Sequence, residues 1–417
     1  MDKLGAFLPS TTMLRSLTSR RALCALSAAT ALFLTFLYLT RDLLTVTTSP
    51  LTRSPPTLRP IPLRTTTANT IAAFKIAVFS DLHFGEEEAT WGPEQDRRTL
   101  ALMREVLAAE APDLVVLNGD LVTGENTVRE NATAYVDMLV APMVEAGVPW
   151  ASTYGNHDSQ FNLSREGIFD AEAKYELCRT WRADEALPGV TNYYLPLVSE
   201  VEGPRAVLWF FDSRGGKVYQ GGSGGGEEEE IPGWVPPTTA SWFLNTQSHL
   251  ARLHPRLLPS LAFVHIPTRD YLPMQSLVEP HLLPGQNYDD PAAAQSDADS
   301  APSHPASSFA DALLAAEGLH SVHAGHDHGN DWCAPPTNIE GVRPFLCFGR
   351  QSGFGGYGDW ERGARILQLE FYGYGEGEWG RGRGMEVETW IRLEGGRVVG
   401  RVGLNDTYGG DEYPVDD

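Results

Sequence analysis

At five places along this chain an apolar run ends in residues able to ligate a metal. Ser80-Asp81-Leu82-His83 follows the run 74–79, and Asn118-Gly119-Asp120 follows 114–117. Gly155-Asn156-His157-Asp158 follows 150–154, His265 closes 261–264, and Gly325-His326-Asp327-His328 follows 321–324. Carboxylate, imidazole and amide oxygen suit borderline-hard divalent cations, and no thiolate is among them. Taken singly, a Gly-Asp pair is a turn and a lone His a satisfied surface residue. Five such placements, each in register with the end of an apolar run, are not explained by turns. Eight ligand bonds can be assembled from seven such side chains if one carboxylate bridges. Two ions about 3.5–4 Å apart can then clamp the attacking and leaving oxygens of an in-line displacement, and they lower the pKa of a bound water.

The apolar runs must be strands for this to work. Phe74, Ile76 and Val78 alternate in a mostly buried strand, and 114–117 and 150–154 are short apolar strands. Helical spacing runs over 99–109 and 133–146, so strand, helix and strand alternate at α/β lengths with parallel strands. In open α/β sheets the ligand crevice lies beyond the carboxyl ends of the strands, where all five motifs fall. Further core strands are expected at 207–211, 261–264 and 321–324, a helix at 309–316, and closing antiparallel strands at 365–371 and 386–393. The Gly-rich, then acidic, segment 215–233 and the Ala/Asp/Ser/Pro-rich segment 286–308 read as disordered surface insertions.

The ordered series DLH, GD, GNHD, strand-end His and GHDH resembles the calcineurin-like metallophosphoesterase superfamily over residues 74–371. The resemblance implies an α/β fold with a four-layer α/β/β/α sandwich of two mixed sheets flanked by helices. It implies that Asp81, His83 and His328 hold one metal, that Asn156, His265 and His326 hold a second, and that Asp120 bridges them. It implies two divalent ions (Mn, Fe or Zn) and hydrolysis of a phosphorylated substrate, protein or small molecule, by in-line attack of a metal-bridging hydroxide. His157 would be the general acid for the leaving alkoxide, oriented by Asp158. The run from His326 to Cys333, with the later Gly349 to Gly358, is similar to a fungal and plant purple-acid-phosphatase-like branch of phosphatases acting on signalling proteins. Leu121-Val122-Thr123 supplies no tyrosinate after Asp120, so a colourless enzyme is expected. Arg350, in the Gly-rich run, is expected to contact substrate, because a guanidinium is a planar bidentate phosphate partner.

Composition narrows the partners. With 54 acidic and 32 basic residues, the formal charge of -22 repels a nucleic-acid backbone, so no nucleic acid is expected. Four cysteines form no CxxC pair; Cys333 and Cys347 read equally as a disulfide or as two free buried thiols. Residues 22–39, ALCALSAATALFLTFLYL, carry no charge and reach across a hydrocarbon core of roughly 30 Å. They read as a single-pass signal anchor after a short basic tail, 1–21, with a Pro/Thr-rich stalk at 40–70, the phosphoesterase domain at 71–404, and an acidic tail at 405–417. The preferred orientation places the catalytic domain in the lumen or outside the cell. A cleaved signal peptide, a cytosolic orientation and a mitochondrial presequence stay open.

Three functions follow. The first is a phosphomonoesterase. The second is a phosphodiesterase or nucleotide pyrophosphatase on the same metals, separable only by pocket walls. The third, a catalytically silent membrane-anchored binding protein, predicts eroded ligands, whereas all seven positions and the GNHD histidine are present.

Overall fold

The computed structural model describes residues 61–62, 70–199, 203–221, 228–254, 256–289, 294–295, 308–335, 344–372 and 384–414. The expected membrane segment 22–39 and most of the stalk lie outside them. Among the described residues no helix is long and apolar enough to cross a membrane.

The strands are β1 (Ile61–Pro62), β2 (Thr70–Phe79), β3 (Leu114–Asn118), β4 (Trp150–Thr153), β5 (Tyr193–Ser199), β6 (Gly203–Phe211) and β7 (Ser260–Val264). They continue with β8 (Leu319–Ala324), β9 (Cys333–Ala334), β10 (Phe345–Phe348), β11 (Gly363–Tyr372), β12 (Met385–Leu393) and β13 (Val398–Gly403). The helices are α1 (Gly92–Glu110), α2 (Ala134–Ala146), α3 (Arg165–Glu172), α4 (Pro237–Leu253), α5 (Tyr271–Gln275) and α6 (Ser308–Ala315).

Two mixed sheets result, ordered β1-β5-β6-β7-β8-β10-β9 and β13-β12-β11-β2-β3-β4. The period of two along β2 decides its packing. Phe74, Ile76 and Val78 meet Leu208, Phe210, Leu261 and Phe263 of the other sheet. Ala77 and Phe79 turn outward onto Leu102, Met103 and Val106 of α1. On the far side, Trp209 and Phe211 of β6 pack on Phe243 of α4 and on Phe309 and Leu313 of α6. Helices thus cover the outer faces of a two-sheet core.

Two expectations are corrected where their residues are described. Residues 215–233 and 286–308 are packed where they are described. Lys217 N donates to Ser159 O at 2.7 Å, and the Gln295 amide donates to Ile266 O while accepting from Val235 N. Average polarity does not reveal such backbone pairing. The expected tail is docked as far as it is described: Tyr408 is buried and its hydroxyl donates to Cys333 O. The expected antiparallel strands are present, with β11 paired to β12. Strand β11 also pairs antiparallel with β2 in the middle of its sheet.

Candidate metal centre

Parallel pairing of β2 with β3, and of β3 with β4, carries three motifs to one sheet edge. Parallel pairing of β7 with β8 carries the other two. The loops stay zipped past the strands: Asp81 N donates to Gly119 O at 3.1 Å, His83 N to Asp120 O at 3.0 Å, and Gly325 N to His265 O at 2.9 Å. Asp81, His83, Asp120 and His326 all take positive φ, between 48° and 79°. Left-handed residues reverse the chain within a single step, which turns these side chains inward from adjoining loops. Gly155 allows the third loop to close, because a Cβ there would lie 2.2 Å from Asp120 Oδ1.

Six of the seven expected ligands form two clusters. Donor atoms of Asp81, His83 and His328 form one cluster and those of Asp120, His265 and His326 a second, each within 4.8 Å. Asp120 Oδ2 lies 2.9 Å from His265 Nε2 and 3.9 Å from His83 Nε2, so one carboxylate reaches both clusters. Asn156 Oδ1 is buried with no hydrogen-bond partner among the described residues, as an amide oxygen awaiting a cation would be.

The imidazoles test the fit most sharply. The carbonyl of Tyr357 lies 2.9 Å from His328 Nδ1, and the carbonyl of Asn118 lies 2.9 Å from His265 Nδ1. A carbonyl only accepts, so each Nδ1 carries a hydrogen and Nε2 is left as the inward-facing atom that would ligate. The Nε2 atoms of His83 and His328 face each other at 3.2 Å. Two nitrogens each about 2.1 Å from one ion stand roughly 3.0–3.4 Å apart at octahedral or tetrahedral angles. The donor set therefore fits divalent cations.

His157 does not join the ligands. Its backbone N–H donates to Asp120 Oδ1 at 2.8 Å, and its ring lies 5.0 Å from that of His83. Its Nδ1 lies 2.5 Å from Glu125 Oε1, on the short turn after β3.

Residues 74–330 match the sequence profile of the calcineurin-like phosphoesterases. The chain belongs to that family. It is 28% identical over 346 residues to "Probable inactive purple acid phosphatase 14" of Arabidopsis thaliana, covering 76% of this chain and 79% of that one. It is 27% identical over 344 residues to "Phosphatase DCR2" of Saccharomyces cerevisiae, covering 76% and 53% respectively. Among solved structures, a dimetal phosphatase from Danio rerio aligns with a TM-score of 0.45 at 14% identity, over 82% of this chain and 98% of that one.

Two members of the expected phosphoesterase site have other duties. Asp158 was assigned to orient His157, but its carboxylate is fully buried and accepts from the backbone N–H groups of Leu121, Val122 and Gly155 at 2.8–3.0 Å. It staples two ligand loops together, and Glu125 takes the expected role. Arg350 was assigned to substrate. Instead it is buried, its Nη1 donates to Asp331 Oδ2 at 2.7 Å, and its Nε and Nη2 donate to Glu361 O. Three of its five N–H donors are thus committed to protein oxygens, on a side chain withdrawn from solvent. The only sequence signal for Glu125 is its place five residues after Asp120.

Burial and charge set the protonation states of this phosphoesterase site. Burial drives His328 down to about 4 and His326 to about 3, and His83 well below its ordinary value with help from His328. Burial lifts Asp81 to about 7. Burial would raise Asp120 too, but His265 and His157 outweigh it and hold that carboxylate well below the usual range. For His157, burial is overcome by Asp120 and Glu125, which push it up to about 10, so it carries a proton at neutral pH.

Proposed function

We propose that this phosphoesterase is a phosphomonoesterase using two divalent metal ions. The observation carrying this reading is the pair of ligand clusters beside a histidine whose Nδ1 is held by Glu125. Asp81, His83 and His328 would hold one cation, Asn156, His265 and His326 the other, and Asp120 would be shared; the cations would supply Lewis-acid polarisation of phosphoryl oxygen and acidification of water. The chain's own contribution is positioning and one proton. Glu125 holds His157 Nδ1, which leaves Nε2 as the atom from which a proton passes to the leaving oxygen. Asp158 keeps that loop against the turn bearing Asp120.

The printed names of the Arabidopsis relatives include the word inactive, so a silent binding protein is the reading to test against. An intact donor set and a His157 ring held by Glu125 favour turnover. The test is hydrolysis of p-nitrophenyl phosphate and its bis ester before chelation, after it, and after adding back Mn, Fe or Zn. Metal-restored turnover favouring the monoester is expected. Preference for the bis ester would assign a diesterase, and two bound ions without turnover would assign a binding protein.

The location proposed with this function is a membrane-anchored domain on the oxidising side, through residues 22–39. The disulfide between Cys333 and Cys347 supports it, because such bonds persist in secretory compartments. Protease added to intact vesicles should leave the domain uncut; cleavage would place it in the cytosol.

A further inference from the structure

Among the three ligand histidines whose outer ring nitrogen has a partner, His83 alone meets a side chain there. His265 and His328 turn Nδ1 to main-chain carbonyls, which fix the tautomer outright. His83 turns Nδ1 to the hydroxyl of Thr123 at 2.9 Å. A hydroxyl can donate or accept, so Thr123 by itself fixes nothing. If it donated to His83, the ring hydrogen would sit on Nε2, point at His328 Nε2, and take His83 out of the ligand set.

Glu86 removes the ambiguity. Its Oε1 lies 3.2 Å from the Thr123 hydroxyl, and a carboxylate accepts more strongly than an imidazole nitrogen. The single hydroxyl hydrogen therefore goes to Glu86. Thr123 must then accept from His83 Nδ1–H, and the Nε2 lone pair faces inward. The Gly-rich run that Arg350 does not explain finds its use here. The N–H of Gly356 donates to the Glu86 carboxylate. A Cβ on Gly356 would meet His328 Cε1 at 2.5 Å and His83 Cδ2 at 2.9 Å, so only glycine lets the loop close on both rings. The ring of Tyr357 stacks on His328 at 4.0 Å.

We propose that Glu86 and Thr123 are positioning residues for the first cation, a carboxylate–hydroxyl–imidazole chain that selects the ligating tautomer of His83, clamped by the loop 353–358. The inference rests on the dinuclear reading. It also assigns a use to Thr123, the third residue after Asp120.

The test compares wild type, Thr123→Val, Thr123→Ser and Glu86→Leu by Mn titration with bound-metal analysis, and by 15N NMR of the histidines in the metal-free chain. Thr123→Val should weaken one of two Mn ions by roughly 10–100-fold, the usual cost of losing a contact behind a metal-ligating histidine, and leave the other unchanged. Thr123→Ser should bind both as wild type does. The His83 resonances should report Nδ1–H in wild type and in Thr123→Ser, and Nε2–H in Thr123→Val. Should Thr123→Val fold poorly, Glu86→Leu, which removes the hydroxyl's acceptor, carries the same expectation with the hydroxyl retained. Unchanged affinity for both ions, equal weakening of both, or an unchanged tautomer overturns the proposal. Wild type binding fewer than two ions would instead overturn the dinuclear reading beneath it.

Discussion

Arg350→Ala should unfold this domain more readily without damaging its chemistry. The guanidinium is 3% exposed and its partner Asp331 1%, with no room for water to replace the lost donors. Removal leaves the Asp331 carboxylate buried against the Gln286 N–H, and strips the Glu361 carbonyl of its donors as well. Breaking a buried ion pair from one side costs about 3–5 kcal/mol. At roughly 2–4 °C per kcal/mol, this predicts a fall in Tm of about 6–20 °C, toward the lower end for a domain this long. The double change Arg350→Met with Asp331→Asn should recover part of the loss, since the stranded charge goes with its partner. Calorimetry supplies the Tm; kcat/KM on p-nitrophenyl phosphate, measured well below the transition, supplies the chemistry. A Tm within about 2 °C of wild type together with a tenfold or greater fall in kcat/KM would refute this reasoning and return Arg350 to the substrate.

Three further outcomes follow from the geometry. Asp120→Asn should weaken both ions and abolish turnover, because its carboxylate reaches both clusters; full turnover with two ions retained is the contrary result. His157→Ala should keep both ions and slow turnover by roughly 10²–10⁴-fold, less for p-nitrophenyl than for alkyl esters, which need the proton; equal losses would count against an acid role. Burial holds His323 well below its ordinary value and His320 at about 4. Both folded values lie below the unfolded one, so their contribution is complete above about pH 6.5 and is lost as pH falls toward 4. At pH 5.5 the buried, neutral His323 should cost about 1–1.5 kcal/mol relative to neutral pH, read as a shift in urea midpoint that His323→Gln reduces.

The ligand set was legible because strand ends deliver it, and β2, β3, β4, β7 and β8 announce themselves by apolar runs. The residues behind the ligands were not. Asp158 is next to His157 in sequence, yet the tight loop sends its carboxylate to backbone N–H groups instead. Arg350 has the right chemistry for phosphate, but a guanidinium suits a buried carboxylate equally well, and only packing decides between them. Among the elements, α4 escaped notice because it opens on Pro236 and Pro237 and its buried face, Thr239, Ala240, Phe243 and Thr246, is sparsely apolar. The first turns of α1 are polar and exposed, so periodicity begins at Thr99 although the helix begins at Gly92. Strand β5 carries Pro196, which reads as a break.

The positive φ at Asp81, His83, Asp120 and His326 has an evolutionary consequence. A side chain held there costs roughly 1–2 kcal/mol relative to glycine, so the empty fold carries a standing load at four positions. Most mutational drift in a protein loses stability, but drift to glycine at these sites would gain it. A chain released from any demand for metal would be drawn down that slope one ligand at a time, becoming hardier as it fell silent.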